Sequence, residues 1–420
     1  MGQRLQRQFH TLNFLLSTLL ATMVLPSSWA TAGDWPQILG PHRNGLAVGE
    51  TLAQKWPQDG PPVLWTHKVG SGFAGPTIVG DRVFVFHRVD GNERIEALST
   101  ADGSSQWQAD FKATYRGTIN PDDGPRAVPV VKNGRVYAFG AAGDVYCVDA
   151  KDGTTRWQRA TFRDFDAPEG YFGAGSSPII TDDALLVNVG GRDGAGVVAL
   201  STDTGKTLWK AGDELASYSS PSSLEVSGKQ RVVFVTRLNA LLLDPATGKI
   251  HAKEPFGQRG PTVNAATPLV FDDKLFLTAS YGIGARLFQV KADRLEELWS
   301  SDEVLSSQYN TPVESGEFLY GIHGREDIGR ASLRCISAAD GKVKWGEDDF
   351  GVAHTILAGD KLLIVRIDGE IMLARAAPER FQSMAKFKAF DGTARAMPAL
   401  ADGKLFPRDD DELKCIAVGK

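Results

Sequence analysis

Short apolar runs separated by tight-turn residues recur along most of this chain. The clearest copy begins at Pro129, where the runs PVV, RVYAFG and VYCVDA are separated by the turns Asn133-Gly134 and Ala142–Asp144, and Asp152-Gly153 leads to Trp157. Asn-Gly and Asp-Gly between β-branched and aromatic residues are strong hairpin signals. The pattern therefore predicts four short antiparallel strands per unit, as in the blade of a β-propeller.

The unit repeats at a period of about 40–50 residues, which is typical of propellers and solenoids. One residue opens the first strand of each copy, namely Pro76, Pro129, Pro178, Pro221, Pro268, Pro312, Thr355 and Pro398. These positions predict eight blades. The 45 glycines and 21 prolines of the chain agree with many strands joined by tight turns.

The last copy runs out at Lys420 after its third strand, while an orphan strand, VLWTHKV, lies at Val63–Val69. We expect this N-terminal strand to complete the last blade, because closure of the ring removes exposed sheet edges. The prediction is an all-β protein with an eight-bladed β-propeller over residues 63–420. The Pro- and Gly-rich residues 33–62 are expected to form an extended cover.

One position in the fourth strand of the unit is most often tryptophan. It is held by Trp65, Trp107, Trp157, Trp209, Trp299 and Trp345, and in the other two copies by Ala252 and, by spacing, Phe387. We interpret the tryptophans as side chains that dock one blade on the next. Cys147, Cys335 and Cys415 likewise share one position in three units, so we expect small buried side chains without a disulfide between them.

The first 32 residues are typical of a signal peptide. Arg4 and Arg7 precede the interrupted apolar stretch Leu12–Leu25, and Ala30-Thr31-Ala32 offers a cleavage site. An uncleaved anchor is the alternative, although the stretch is short for a membrane span. Since no cysteine lies near the cleavage site, we expect no lipid anchor. We expect a periplasmic or secreted protein that is monomeric.

The net charge of the chain is −5, which argues against a nucleic-acid partner because such a partner requires a basic face. We find no nucleophile elbow, phosphate loop or zinc motif. The sequence therefore predicts no catalytic residue and no metal ligand.

The repeat at Val145–Asp149, Ala150–Trp157 and Ser176–Ile179 resembles the PQQ-type (pyrroloquinoline quinone) β-propeller repeat, over about residues 63–420. The opening DWPQILGP and the segment Gly321–Asp327 are similar to exported planctomycete-type proteins of this superfamily. The superfamily also includes quinoprotein dehydrogenases and, as a distant resemblance here, the outer-membrane assembly scaffold BamB. The resemblance implies the fold, and it does not by itself imply the cofactor.

The quinoprotein dehydrogenases carry a vicinal Cys-Cys disulfide over the quinone and a calcium ion held by Glu, Asn and Asp. In this chain each cysteine is solitary. PQQ is therefore disfavoured and no cofactor is expected. The predicted function is an exported, non-catalytic binding or scaffold protein, for an envelope or secreted protein partner or a small or polysaccharide-like ligand at the channel mouth. A PQQ-dependent quinoprotein dehydrogenase is the alternative.

The turns before the innermost strands should surround one mouth of the central channel. Three residues before the strand-opening position, four copies carry Arg126, Tyr218, Tyr309 and Arg395. Arginine offers bidentate donors to a carboxylate or phosphate, and tyrosine offers a flat face with a hydroxyl. These residues would therefore suit an anionic or carbohydrate-like ligand.

Asn310 and His354 also fall in this ring. No Asp or Glu occupies the ring positions, so we expect His354 to be a hydrogen-bonded structural residue and not a general base. His323 lies in a hairpin turn beside Arg325, Glu326 and Asp327. Asp409–Glu412 are expected to form a solvated turn.

Two long connections, Lys112–Gly124 and Phe162–Phe172, are adjacent in the repeat order. Long loops in compact repeat proteins are frequent binding elements. The first connection carries Asp122-Asp123 and the second carries Tyr171. We predict that the two loops form the rim of the site, with Arg126 beneath them.

Overall fold

The computed structural model describes residues 33–117, 119 and 121–419. The predicted signal peptide, residues 1–32, lies outside the described residues. The described chain is almost entirely strand and turn, with one four-residue helix. It forms eight four-stranded antiparallel sheets in the predicted propeller arrangement.

The strands of the first four complete sheets follow the chain order. β1 is Val63–Lys68; the first blade has β2 (Thr77–Val79), β3 (Arg82–Val89), β4 (Asn92–Ser99) and β5 (Ser105–Lys112); the second has β6 (Val130–Lys132), β7 (Arg135–Phe139), β8 (Asp144–Asp149) and β9 (Thr155–Ala160), followed by α1 (Thr161–Asp164); the third has β10 (Ile179–Thr181), β11 (Ala184–Asn188), β12 (Val197–Ser201) and β13 (Thr207–Ala211); the fourth has β14 (Ser222–Val226), β15 (Lys229–Val235), β16 (Asn239–Leu243) and β17 (Ile250–Pro255).

The remaining strands follow the same order. The fifth blade has β18 (Leu269–Phe271), β19 (Lys274–Ala279), β20 (Gly284–Val290) and β21 (Leu295–Ser301); the sixth has β22 (Val313–Ser315), β23 (Phe318–Arg325), β24 (Arg330–Ser337) and β25 (Val343–Glu347); the seventh has β26 (Ala353–Ala358), β27 (Lys361–Arg366), β28 (Glu370–Arg375) and β29 (Gln382–Lys388); the eighth has β30 (Ala399–Ala401), β31 (Lys404–Phe406) and β32 (Glu412–Ala417).

The eighth blade closes the ring as predicted. Its strand order is β1-β32-β31-β30, so the N-terminal strand pairs with the C-terminal one. Trp65 lies opposite Cys415, and His67 lies opposite Leu413. The two ends of the propeller are thus joined by main-chain hydrogen bonds, and β1 covers the outer edge of β32.

The hydrophobic core lies between neighbouring blades. One cluster, for example, joins Phe84 and Ala97 of the first blade to Val136 and Tyr146 of the second. The core is therefore built from blade-to-blade contacts, as in other closed propellers.

Six tryptophans connect consecutive blades by one hydrogen bond each. The indole Nε1 groups of Trp65, Trp107, Trp157, Trp209, Trp299 and Trp345 donate to the carbonyl oxygens of Thr100, Ala150, Thr202, Pro245, Ala338 and Ala377, at 2.8–3.2 Å. Five of the rings lie over a turn glycine of the next blade; a Cβ on Gly153, for example, would lie 2.5 Å from Trp107. The glycine is thus required both for its positive φ and for the close approach of the ring.

The seventh blade departs from this pattern. Its register places Ala385 opposite Leu373, at the position that tryptophan holds in six blades and Ala252 holds in the fourth. Phe387, assigned to this position by spacing, lies two residues further along and packs edge-on against Trp56, with ring centroids 5.6 Å apart. Thus Trp56, from the N-terminal segment, covers this part of the seventh blade.

The N-terminal segment crosses one end of the channel. Trp35 pairs with Ile78 in the first blade, and Ala47 N donates to the Leu357 carbonyl in the seventh. Between them, the buried Arg43 donates to the carbonyls of Ser177 and Pro178 in the third. Burial lowers the pKa of Arg43 to about 9. These contacts fix the segment to three blades, at or directly before their innermost strands.

No helix of the described residues has the length and apolar character that a membrane span requires.

Candidate functional site

A cavity of about 430 Å³ occupies the opposite mouth of the channel, where the turns precede the innermost strands. This volume lies in the range of small-molecule sites. Ile38, from the segment that crosses the channel, belongs to its lining. The other lining residues are Phe73, Arg126, Val128, Phe172, Gly175, Tyr218, Ser220, Val263, Ala265, Tyr281, Gln308, Tyr309, Glu326, Asp327, His354, Arg395 and Met397.

Five of the seven candidate ligand-binding residues line this cavity, namely Arg126, Tyr218, Tyr309, His354 and Arg395. Asn310 is buried behind His354 and contacts its ring. Tyr171 lines a neighbouring cavity of about 490 Å³, which shares Gly175, Tyr218 and Val263 with the first. The structure thus brings the ring residues together and places Tyr171 to one side.

Two carboxylates that the ring positions do not include also reach the cavity. Glu326 and Asp327 lie at the tip of the hairpin between β23 and β24, each eight residues long. The hairpin belongs to the sixth blade, and its length carries the tip to the channel mouth. The sequence shows these residues in a hairpin turn, but the repeat alignment alone does not give the reach of that hairpin.

Glu326 holds Arg395 and Tyr309 together. Arg395 Nε donates to Glu326 Oε2 at 3.2 Å, and Arg395 Nη2 donates to Glu326 Oε1. The Tyr309 hydroxyl donates to Glu326 Oε2 at 2.7 Å. Burial lowers the pKa of Arg395, but the hydrogen bonds and charge of Glu326 outweigh it and raise that pKa above its ordinary value. The ion pair is therefore a fixed part of the wall.

His354 is held as a neutral imidazole. Its Nε2 lies 2.8 Å from the Arg395 carbonyl oxygen, and its Nδ1 lies 3.3 Å from Asn310 Nδ2. Because a carbonyl can only accept, Nε2 carries the proton and Nδ1 accepts from the Asn310 amide. Burial lowers the pKa of His354 to about 4. Both ring nitrogens are thus engaged, so neither is available to take a proton from a ligand.

Arg126 faces a different environment from Arg395. Its guanidinium donates to the carbonyls of Gly124 at 2.7 Å and Asp122 at 2.9 Å. It lies 5.5 Å from the centroid of Phe73 and 5.6 Å from that of Tyr115. Burial lowers the pKa of Arg126, and the nearby charges only partly offset that effect. In the part of the chain that the structure describes, no Asp or Glu forms an ion pair with Arg126.

Phe73 lies between the two arginines, since the Arg395 guanidinium is also 4.8 Å from its ring centroid. An aromatic face near a cation attracts it through the ring quadrupole. Phe73 therefore fixes the relative position of the two cations at the mouth.

Tyr218 and Phe172 form a second aromatic part of the wall, with ring centroids 5.6 Å apart. The Tyr218 hydroxyl accepts the Phe172 backbone N–H at 2.9 Å, and burial raises the pKa of Tyr218 to about 12. A Cβ on Gly175 would lie 2.8 Å from the Tyr218 ring. The glycine at this ring position thus makes room for the tyrosine.

The two long connections contribute differently to the rim. Phe172 of the second loop lines the cavity, whereas Tyr115 of the first lies beneath the Arg126 guanidinium. Asp122 accepts the backbone N–H groups of Gly72 and Gly124. The first loop therefore positions Arg126 from outside the cavity.

The remaining acidic cluster is partly buried and not the fully solvated turn that the sequence predicts. Asp409 is 8% exposed, and its Oδ1 accepts the backbone N–H groups of Asp411 and Glu412. Asp409 therefore has a structural role in the last hairpin.

The side chains of the cavity do not fit a calcium-held quinone under a vicinal disulfide. Within the described ranges, no group of three His, Cys, Asp or Glu is placed to hold a metal ion. Glu326 and Asp327, the carboxylates in the lining, pair with Arg395 and Arg325. The three cysteines lie in separate blades.

Residues 91–347 match the family model described as outer membrane protein assembly factor BamB. A curated relative, the outer membrane protein assembly factor BamB of Burkholderia pseudomallei (strain K96243), is 21% identical over 354 residues, which cover 73% of this chain and 86% of the relative.

Two solved structures illustrate the structural likeness. BamB from Moraxella catarrhalis has a TM-score of 0.63 and 15% identity, covering 84% of this chain and 96% of that one. A europium-containing methanol dehydrogenase has a TM-score of 0.69 and 12% identity, covering 89% of each chain. At these identities the solved structures establish the fold alone.

Proposed function

The chain belongs to the family of outer membrane protein assembly factor BamB, and from this premise we propose that it is an exported, non-catalytic binding protein of the cell envelope. One observation carries the proposal. Glu326, Arg395 and Tyr309 bond to one another, and both ring nitrogens of His354 have hydrogen-bond partners. Asp327 pairs with Arg325. Aromatic faces and Arg126 are left for a ligand.

The site of action that we propose is the periplasm or the cell exterior. The relative from Burkholderia pseudomallei is described as an assembly factor for outer membrane proteins, and we extend an envelope-protein partner to this chain on that basis. The mouth of the channel is the proposed recognition surface, for a small ligand or for a short segment of such a partner.

A quinoprotein dehydrogenase is the second candidate. The likeness to a methanol dehydrogenase in fold favours it. Against it stand the separate cysteines and the pairing of Glu326 and Asp327 with arginines. The dehydrogenases that the repeat resembles carry a vicinal Cys-Cys disulfide and a calcium ion held by Glu, Asn and Asp. We therefore place binding before catalysis.

Two experiments distinguish a binding protein from a quinoprotein dehydrogenase. They are calorimetric titration with PQQ, with and without calcium, and a dye-linked alcohol and sugar dehydrogenase assay. The proposal predicts no saturable heat and no turnover. Saturable binding with dye reduction would establish the dehydrogenase instead.

The partner is tested by site-specific photo-crosslinking in envelope preparations. A photoreactive residue replaces Tyr171 at the rim, and a matched control replaces the exposed Gln106 on the outer strand of the first blade. We expect a crosslinked envelope protein at position 171 and not at position 106. Equal crosslinking at both positions would contradict recognition at the channel mouth.

A further inference from the structure

We infer that the channel-mouth cavity selects a ligand with a flat apolar body and a single carboxylate, and that Glu326 excludes a second negative charge. This inference rests on the proposed binding function and names its ligand class. It follows from the chemistry of the walls and from the different charge environments of Arg126 and Arg395.

The walls specify the flat apolar body. Phe73, Phe172, Tyr218, Tyr281 and Tyr309 line the cavity, and apolar side chains such as Ile38 and Met397 complete its surface. Aromatic side chains favour offset or edge contacts with other rings and provide large apolar contact areas. A ligand of one or two fused rings fits a space of about 430 Å³ of this composition.

Arg126 specifies the carboxylate. Arg126 is half-buried, so its charge is partly removed from water, and a ligand anion would offset that cost. The guanidinium can also bind a carboxylate through more than one donor. The charge of the nearby Asp122 raises the pKa of Arg126, but burial outweighs that effect. The Asp122 carboxylate accepts the backbone N–H groups of Gly72 and Gly124.

Arg395 does not offer a second anion site, because Glu326 already binds it through both carboxylate oxygens. Glu326 occupies on Arg395 the position that a ligand carboxylate would take. Of the charged side chains that line the cavity, Glu326 pairs with Arg395 and Asp327 pairs with Arg325 from outside the lining. Arg126 is therefore the lining cation whose charge no described carboxylate pairs. A second carboxylate on the ligand would have to displace Glu326 or lie against it, and either arrangement weakens binding.

A matched series of naphthalene probes tests the inference by calorimetry on the purified chain. The probes are 2-naphthoate, the neutral 2-naphthamide and the dianion naphthalene-2,6-dicarboxylate, which share one ring system. We expect saturable binding of 2-naphthoate, and at least about tenfold weaker binding of each of the other two, as loss of a charge-assisted contact implies.

Two variants test which residues cause the preference among the naphthalene probes. Arg126→Gln should remove the preference for 2-naphthoate over 2-naphthamide. Glu326→Gln, which keeps an amide able to bond Arg395 and Tyr309, should raise the affinity for the dicarboxylate by at least about tenfold relative to that for 2-naphthoate. Arg286→Gln is the matched control, because Arg286 of β20 pairs with Glu297 of β21 and lies outside the cavity lining. It should change neither ratio.

The outcomes separate this inference from the proposed function. Equal binding of acid and amide, tighter binding of the dicarboxylate to the wild type, or no binding of any probe would overturn the inference. The wild-type series is decisive even where a variant fails to fold. The proposed function itself fails on a different result, namely PQQ binding with turnover.

Discussion

Arg395 and Glu326 pair across the channel mouth although they belong to the eighth and sixth blades. The seventh blade lies between these two blades in the ring order, and each side chain of the ion pair is 26% exposed. It thus links non-neighbouring blades and shapes the wall of the cavity at the same time.

The first prediction concerns the stability that this pair provides. Glu326→Ala leaves the half-buried Arg395 without its partner and the Tyr309 hydroxyl without its acceptor. We expect the free energy of unfolding to fall by about 1–3 kcal/mol, measured by urea denaturation. Asp327→Ala, at the more exposed pair with Arg325, is the control and should cost less than about 1 kcal/mol. Equal losses in the two variants would contradict a structural role for Glu326.

The second prediction concerns the docking tryptophans. Trp157→Ala removes a side chain that is 9% exposed, together with its hydrogen bond to the Thr202 carbonyl. The expected loss is about 3–5 kcal/mol in chemical denaturation. Leu208→Ala, at a side chain that is 54% exposed, should remain within about 0.5 kcal/mol of the wild type. A Trp157→Ala loss as small as that control would show that docking contributes little.

The third prediction compares two turn glycines of the second blade that have similar backbone angles. Gly134 has φ 71° and Gly153 has φ 75°. An added Cβ meets no heavy atom within 4 Å at Gly134, whereas it lies 2.5 Å from the Trp107 ring at Gly153. Gly134→Ala should cost only the conformational strain, about 1–2 kcal/mol.

Gly153→Ala should lower the free energy of unfolding by about 1–3 kcal/mol more than Gly134→Ala does, because the Trp107 ring must shift. Thermal and urea melts of the two variants give the comparison. A loss at Gly153 no larger than that at Gly134 would show that the ring accommodates a methyl group freely.

The fourth prediction concerns pH. The pKa of His354 is lowered to about 4 by burial, from an ordinary value of 6.5. The unfolded chain therefore binds a proton at this residue at a higher pH than the folded chain does. Stability from the neutral imidazole is fully present above pH 6.5 and is lost as the pH falls towards 4, by about 3 kcal/mol in total.

His354→Gln removes this titration, so the difference in stability between wild type and variant should decrease steadily from pH 6.5 to pH 4. Denaturation curves across that range measure it. A difference that is constant with pH would mean that His354 titrates alike in the folded and unfolded chains.

The repeat pattern was enough to predict the blades, because each strand and turn depends on residues close in sequence. The orphan strand around Trp65 and the incomplete last copy together required closure of the ring. The ring residues Arg126, Tyr218, Tyr309 and Arg395 followed from one further assumption, that equivalent turns lie at the same mouth of the channel.

The reach of Glu326 could not be predicted in this way, because it depends on the length and curvature of one hairpin and on the position of a blade two units away. The assignment of Phe387 failed for a related reason. The seventh copy lacks the regular turn before its fourth strand, so counting residues placed the docking position two residues beyond Ala385. The path of residues 33–62 has no periodicity and is determined by tertiary contacts such as those of Arg43.

A crystal structure of the chain with 2-naphthoate would locate both the ring and the carboxylate of the ligand. We expect the naphthalene ring among the aromatic walls of the channel-mouth cavity with its carboxylate on Arg126, while Glu326 remains bound to Arg395. A carboxylate bound to Arg395 with Glu326 displaced, or a ligand in the neighbouring cavity beside Tyr171, would contradict it.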